Sequence, residues 1–433
     1  MGNSRKETHI ISSLKSGHPK TLFSAFLYFD VSFMVWMLIG ALSVLIAKDL
    51  HLSAFQKGFL VSVPLLGGAF FRILLGLLSD RFGPKKVGMT SLLVTILPLG
   101  WAWLGGKSFY ELLVVALFLG IAGASFAVAL PLASRWYPRE NQGIAMGIAG
   151  AGNSGTLIAV FLAPTLAVTY HVGWHGVFGL AIIPVLVVWL LFSWLAKESP
   201  MTPAPAGIRP YIELLKIKDL WWFCLFYGTT FGGFVGLTSY LNILYHDHYG
   251  LSAITAGNIT GLAVLSGSFF RPVGGILGDR FGGLRILTAI YLLVALSFML
   301  FGLFLPMASV AIFLLTVGIL SLGMGNGAVF QLVPQRFSSQ IGVVSGIVGA
   351  AGGVGGFFLP SLFGVLREYW GLTGAGFVVF SFIALFCATV VFFKRKQWEQ
   401  EWLHFQKTSS ESVEGAQIFP SAVRVPMEVV FGG

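Results

Sequence analysis

Charge is what this chain has least of. Only 10% of its 433 residues are Asp, Glu, Lys or Arg, where a soluble domain carries about a quarter. Cysteine is almost missing too. Cys224 and Cys387 are the only two, and both sit in apolar runs, which excludes a disulfide framework and a thiolate metal site. The eight histidines lie outside the cores of those runs, so no histidine proton relay is expected. No nucleophile triad, metal-ligand cluster or phosphate loop is found, and neither an enzyme activity nor a cofactor is expected.

What fills the chain is apolar. Hydrophobic residues make up 56% of it, 40 of them Phe, and the mean hydropathy is +0.84. Runs of about 20 apolar residues, each enough to cross a bilayer as a helix, follow one another. The alternating strands of a membrane β-barrel do not occur. The fold class is therefore an all-α polytopic membrane protein. Helices are predicted at 22–47, 58–78, 87–105, 111–133, 142–169 and 175–196, then at 219–243, 255–277, 285–305, 309–332, 341–365 and 372–394. Between the sixes lies "KESPMTPAPAGIRPYIELLKIKD", Pro-rich and charged, which reads as a linker. The expected division is a tail at 1–21, a half at 22–196, a linker at 197–218, a half at 219–394 and a tail at 395–433. The first apolar run is about 25 residues, too long for a signal-peptide core, so a retained helix is expected. Trp398 and Trp402 are four apart and suggest a short helix at the membrane surface.

The few charges are placed unevenly. Of the 27 Lys and Arg, 21 fall in the two tails, the linker and the loops on the same side. Four fall on the other side, Lys48, Lys57, Lys107 and Arg367, and two lie inside helices, Arg72 and Arg271. The positive-inside rule then puts both termini in the cytoplasm. It also accounts for the net charge of +10 without any nucleic acid partner.

The chain repeats itself. "FFRILLGLLSDRFG" (Phe70–Gly83) and "FFRPVGGILGDRFG" (Phe269–Gly282) are 199 residues apart and identical at nine of fourteen positions. The same offset pairs Gly143, Gly147 and Gly150 with Gly342, Gly346 and Gly349. "GASF" (Gly123–Phe126) matches "GAVF" (Gly327–Phe330) more loosely. Two parallel six-helix halves are implied, with a substrate site between them near mid-membrane.

Arg72 and Arg271 are mates in this repeat. Each lies about eight residues, or 12 Å of helix, from its polar end, too far for easy snorkelling. Each costs roughly 2.5–3.5 kcal/mol to insert at a helix centre. Structural pairing would need acids, and Asp30 is the only one well inside a helix. A shared anionic ligand answers better. A planar guanidinium fork suits a flat oxyanion.

These features together resemble the nitrate/nitrite porter family of the major facilitator superfamily. "GLLSDRFGPKK" and "GILGDRFGGLR" are similar to the superfamily's loop motif. "AGAGNSGT" and "GAAGGVGG" are similar to the family's two glycine signatures, and "FFR" and "FYGTTFGGFVG" fit it as well. The resemblance implies the major facilitator fold and carriage of nitrate or nitrite by alternating access. It implies that Arg72 and Arg271 clamp the ion and that Asn153 adds an amide and Tyr227 a hydroxyl. Phe126 and Phe330 would sandwich the flat faces, and Phe231 would line the pocket. An aromatic in such a Phe-rich chain is otherwise packing. The second half departs from the pattern, because Asn153 aligns with Gly352.

Other assignments remain double. The glycines of the fifth helix, Gly143 to Gly155, and those of the eleventh, Gly346 to Gly356, allow close helix packing and also sliding between states. Asp80, Arg81, Asp279 and Arg280, at helix ends, read as gating and topology charges. Asp30 is either a carboxylate pairing a helix-end Arg or a titrating group that couples protons to nitrate. Symport and nitrate/nitrite exchange both stay open. A carrier of small carboxylates such as formate or oxalate is the nearest alternative, although no intramembrane Lys favours it. An anion channel or membrane sensor is a rival of another class. A monomer in the lipid bilayer of a bacterial or archaeal inner membrane is expected.

Overall fold

The computed structural model describes residues 16–138, 142–198, 208–337 and 341–417. Among these, twelve helices are long and apolar enough to cross a membrane. They are α1 (Pro19–Asp49), α2 (Ala54–Phe82), α3 (Pro84–Leu104), α4 (Phe109–Ser134), α5 (142–168) and α6 (Gly173–Leu195). The second set is α7 (Lys218–Tyr249), α8 (Ala253–Phe281), α9 (Gly283–Phe304), α10 (Ala308–Arg336), α11 (Ile341–Trp370) and α12 (Ala375–Gln417). No strand occurs among the described residues.

One expectation needs correction. The segment around Trp398 is no separate surface helix, because α12 runs through it unbroken. "KRKQWEQE" holds no Gly or Pro, so nothing stops the helix. Trp398 is buried against Trp222 and Phe226, with ring centroids 6.3 and 6.1 Å away. The side chain of Trp402 lies outside the described residues. The linker also holds a short helix, Ile208–Leu214. Its Tyr211 lies beside α2, and burial together with Asp80 raises the phenol's pKa.

The repeat is visible in the helix ends. Ser53 caps α2 by accepting from Gln56 N, and Ser252 caps α8 by accepting from Thr255 N. Gly83 and Gly282 end the same two helices with φ of 90° and 94°, values that suit glycine. Within each half, glycines bring helices into backbone contact. A Cβ on Gly120 would overlap Gly67 of α2, and one on Gly323 would overlap Gly267 of α8.

Three helices are interrupted. α1 breaks at Met37, α4 at Ala124–Ser125, and α5 tightens into a 3₁₀ turn over Ala151–Ser154. α10, the counterpart of α4, is continuous. These breaks are not legible as periodicity, since they fall in apolar or glycine-rich stretches without a proline to mark them.

The halves meet along three seams. Ser62 Oγ of α2 lies 2.8 Å from Ser361 Oγ of α11. Asn242 Nδ2 of α7 donates to the Gly40 and Ala41 carbonyls of α1 at 3.1 and 3.3 Å. Gly257 of α8 packs on the Val160 carbonyl of α5. At the end opposite the termini, Lys57 pairs with Asp247 at 2.7 Å across the halves, and Arg367 joins Asp247 at 3.1 Å. Glu368 accepts from the Ala54 and Phe55 amides at 2.9 and 3.3 Å.

The end rich in Lys and Arg is different. The ion pairs described there, Asp80–Arg135 at 2.7 Å, Asp219–Arg336 at 2.5 Å and Arg395–Glu399 at 4.0 Å, each stay inside one half. A Cβ at Gly147, Gly150 or Gly346 would meet nothing within 4 Å. The close packing expected for these three glycines is therefore not seen, while Gly152, Gly155 and Gly353 do press on neighbouring helices. The side chains at 143 and 342 lie outside the described residues. The halves are tied at one end and leave bare glycine faces at the basic end.

Candidate functional site

Arg72 is 2% exposed although it is charged. Its Nη1 donates to the Gly349 carbonyl of α11 at 2.5 Å, and its Nη2 to the Gly123 carbonyl of α4 at 2.9 Å. The break in α4 explains the second bond. Ala127 N–H turns to the Ala124 carbonyl, which leaves the Gly123 carbonyl to Arg72. Arg72 Nε is buried and has no partner.

Aromatic rings wall this guanidinium. Its Cζ lies 5.5 Å from the Phe126 centroid and 5.6 Å from that of Phe231, within cation–π range. Arg271 Cζ lies 5.9 Å from the Phe330 centroid. Tyr227 joins the two sides. Its ring is parallel to Phe231 at 5.0 Å and edge-on to Phe330 at 4.8 Å. Its hydroxyl is within electrostatic reach of both guanidinium groups. Among the described residues neither Arg72 nor Arg271 forms an ion pair. Six of the seven predicted ligands therefore converge from α2, α4, α7, α8 and α10.

Three details differ from expectation. Phe126 and Phe330 do not stand parallel. Their planes meet at 64° with centroids 6.1 Å apart, an edge-to-face contact that leaves no flat slot between them. The two arginines are not equivalent either. Gly349 covers Arg72, whereas a Cβ at its repeat mate Gly150 would meet nothing within 4 Å, and Arg271 is only partly buried. The seventh ligand, Asn153, sits in the 3₁₀ turn and is 5% exposed. Its Nδ2 donates to Ser268 Oγ of α8 at 3.0 Å, and its Oδ1 has no partner.

Asp30 is apart from this group. Among the described residues it pairs with no arginine. Ser154 Oγ donates to its Oδ1 at 2.6 Å, and it borders an apolar cleft of about 370 Å³ between α1, α5 and α6. Among the described residues the neighbouring turn of α5, and not a helix-end arginine, meets the carboxylate. The predicted gate charges lie at the basic end. Asp80 pairs with Arg135, Asp279 accepts from Gln331 at 2.8 Å, and Arg81 and Arg280 stack on Phe82 and Phe281.

Sequence reasoning passed over two polar residues. Asn326 of α10 is 3% exposed, and its Oδ1 has no partner. It lies one turn from Phe330 on the same helix face. An amide in "GMGNGAVF" is the signal that singled out Asn153, and it was readable here too. Ser268 carried no signal beyond standing one turn before Arg271.

The profile of the Major Facilitator Superfamily matches residues 24–360. The nitrite extrusion protein of Bacillus subtilis (strain 168) is 35% identical over 383 residues, covering 88% of this chain and 95% of that one. The probable nitrate/nitrite antiporter NarK1 of Thermus thermophilus is 32% identical and covers 84% and 89%. The probable nitrate transporter NarT of Staphylococcus carnosus (strain TM300) is 33% identical and covers 82% and 89%. Among solved structures, a D-xylose-proton symporter superposes with a TM-score of 0.68 at 18% identity, covering 86% of this chain and 95% of that one. At that identity the likeness concerns the fold alone.

Proposed function

The chain belongs to the nitrate/nitrite porter family of the major facilitator superfamily, and from that premise we propose that its paired arginines carry nitrate or nitrite by alternating access. It is a multi-pass membrane transporter and not an enzyme. The observation that carries the reading is the convergence of Arg72 and Arg271 on Tyr227 and one aromatic wall, with no acid among the described residues paired to them. Two unpaired guanidinium groups in a membrane interior suit a small anion. Their planar donors suit a flat one. The names of the relatives support the choice of nitrate and nitrite.

The two halves, 22–196 and 219–394, would rock as bodies about this site. The excess of Lys and Arg supports a cytoplasmic position for the termini, the linker and both tails, in an inner membrane. The basic end then opens to the cytoplasm, and the Lys57–Asp247–Arg367 cluster closes the outside. A single chain holds every residue invoked, so a monomer suffices.

A proton is the proposed co-substrate. Asp30 is bonded to Ser154, the neighbour of Asn153 in the 3₁₀ turn. Protonation of Asp30 would weaken that bond and shift the turn that carries the amide. The experiment is nitrate uptake into proteoliposomes with an internal pH dye. Nitrate-dependent acidification is expected, lost in Asp30→Asn while nitrate/nitrite counterflow survives. Uptake without proton movement, strictly dependent on an internal anion, would leave exchange as the mechanism. Counterflow of formate or oxalate but not of nitrate would overturn the substrate assignment.

A further inference from the structure

Asn153 has one visible restraint. Its Nδ2 is held by Ser268 Oγ at 3.0 Å, and its Oδ1 is buried without a partner. An amide has a donor end and an acceptor end, and only the donor end attracts an anion. A free amide would rotate and offer either. Ser268 stands in α8, three residues and about 4.5 Å of helix before Arg271. A bond to it therefore turns the N–H₂ of Asn153 toward the half that carries Arg271. Nδ2 has two hydrogens, so one stays free for a ligand while the other is held. The bond also crosses the seam between α5 and α8, so it links the two halves one helical turn from Arg271.

We propose that Ser268 is a positioning residue for the anion site: its hydroxyl fixes the Asn153 amide with its donor end toward the anion held by Arg271. This rests on the assignment of the arginine cluster as the anion site. Ser268 does not touch the anion. Its effect passes through Asn153, and that separates it from a residue that merely packs the seam.

The test is a double-mutant cycle read by anion affinity. Affinity is taken from the rise in Tm of the purified full-length protein on titration with sodium nitrate, and in parallel with sodium formate. Ser268→Ala should weaken nitrate binding by roughly fivefold, the range of one neutral hydrogen bond. Ser268→Thr, which keeps the hydroxyl, should restore it. In an Asn153→Ala background, Ser268→Ala should have no further effect, because coupled residues are not additive. Ser268→Gly removes the hydroxyl without adding bulk, and should behave as the Ala variant if that one folds poorly. An unchanged affinity in both hydroxyl-free variants would overturn the proposal. So would an equal loss with and without Asn153. Wild-type protein that responds to formate alone would overturn the substrate assignment, and the cycle read with formate would still decide the role of Ser268.

Discussion

Arg72 and Arg271 occupy equivalent places in the sequence and different places in the molecule. Arg72 is locked by two carbonyls, one from each half, and Arg271 is half-buried and held by no such pair. Arg72→Lys loses the two-carbonyl geometry as well as the fork. It is expected to weaken nitrate binding by at least tenfold, about 1.4 kcal/mol, measured by counterflow in proteoliposomes. Near-normal affinity would make Arg72 structural. Gly349→Ala is a subtler probe. The new Cβ would sit 3.2 Å from Arg72 Cδ and Nη1, close enough that the side chain must give by a few tenths of an ångström. Arg72 must then shift while its carbonyls hold it. The expected outcome is a folded protein with several-fold weaker binding. The importance of the arginines was legible, because the membrane makes an unpaired charge conspicuous. Their inequality was not, since it depends on whether α5 or α11 lies closer to the facing helix. The edge-on Phe126 and Phe330 were likewise beyond the sequence, which names rings but not their tilt.

At the scale of elements, the existence of all twelve helices was legible, because hydrocarbon demands long apolar runs; most ends fell within a few residues, but α12 runs on to Gln417, far past the expected 394. The breaks were not. The α4 break exposes the carbonyl that Arg72 uses, and the 3₁₀ turn of α5 carries Asn153. Both lie in apolar or glycine-rich stretches that give no local stop signal. The glycines now sort into two kinds. A Cβ at Gly155 would collide with the Asp30 carbonyl, so Gly155→Ala should force α5 off α1, an overpacking cost of about 1–3 kcal/mol or more. A clear fall in Tm is the expected reading. A Cβ at Gly147 or Gly346 would meet nothing within 4 Å. Bulky replacements there, Gly147→Leu or Gly346→Leu, should leave Tm and nitrate affinity intact. They should nonetheless slow turnover severely, if those faces meet in the opposite state. Wild-type turnover in both would argue that the faces never close.

For the whole molecule, the two-fold repeat predicted two similar halves, and the helix caps display it down to Ser53 with Ser252 and Gly83 with Gly282. The sequence did not reveal that the ties between halves gather at one end. Lys57, Asp247 and Arg367 sit in loops and helix ends that read only as topology. Asp247→Asn removes the shared carboxylate and should favour opening at that end. Distance measurements between spin labels placed on α2 and α11 there should show a longer population, and an unchanged distribution would make the cluster ornamental. The native Cys224 and Cys387 are buried, so labels at added cysteines should meet little background.

That cluster is partly wetted, with side chains 13% to 22% exposed. A latch of ions at a wet rim feels the surrounding electrolyte, unlike one of packed methyl groups. The screening length shrinks from about 10 Å at 0.1 M salt to about 3 Å at 1 M. The carrier should therefore respond to the ionic strength of one compartment and not of the other. An impermeant, non-transported salt added only on the Lys57 side of oriented vesicles should speed exchange. The same salt on the basic side, where the described ion pairs stay within single halves, should leave that opening step unchanged. The medium facing the Lys57 end would then act as a throttle on the carrier.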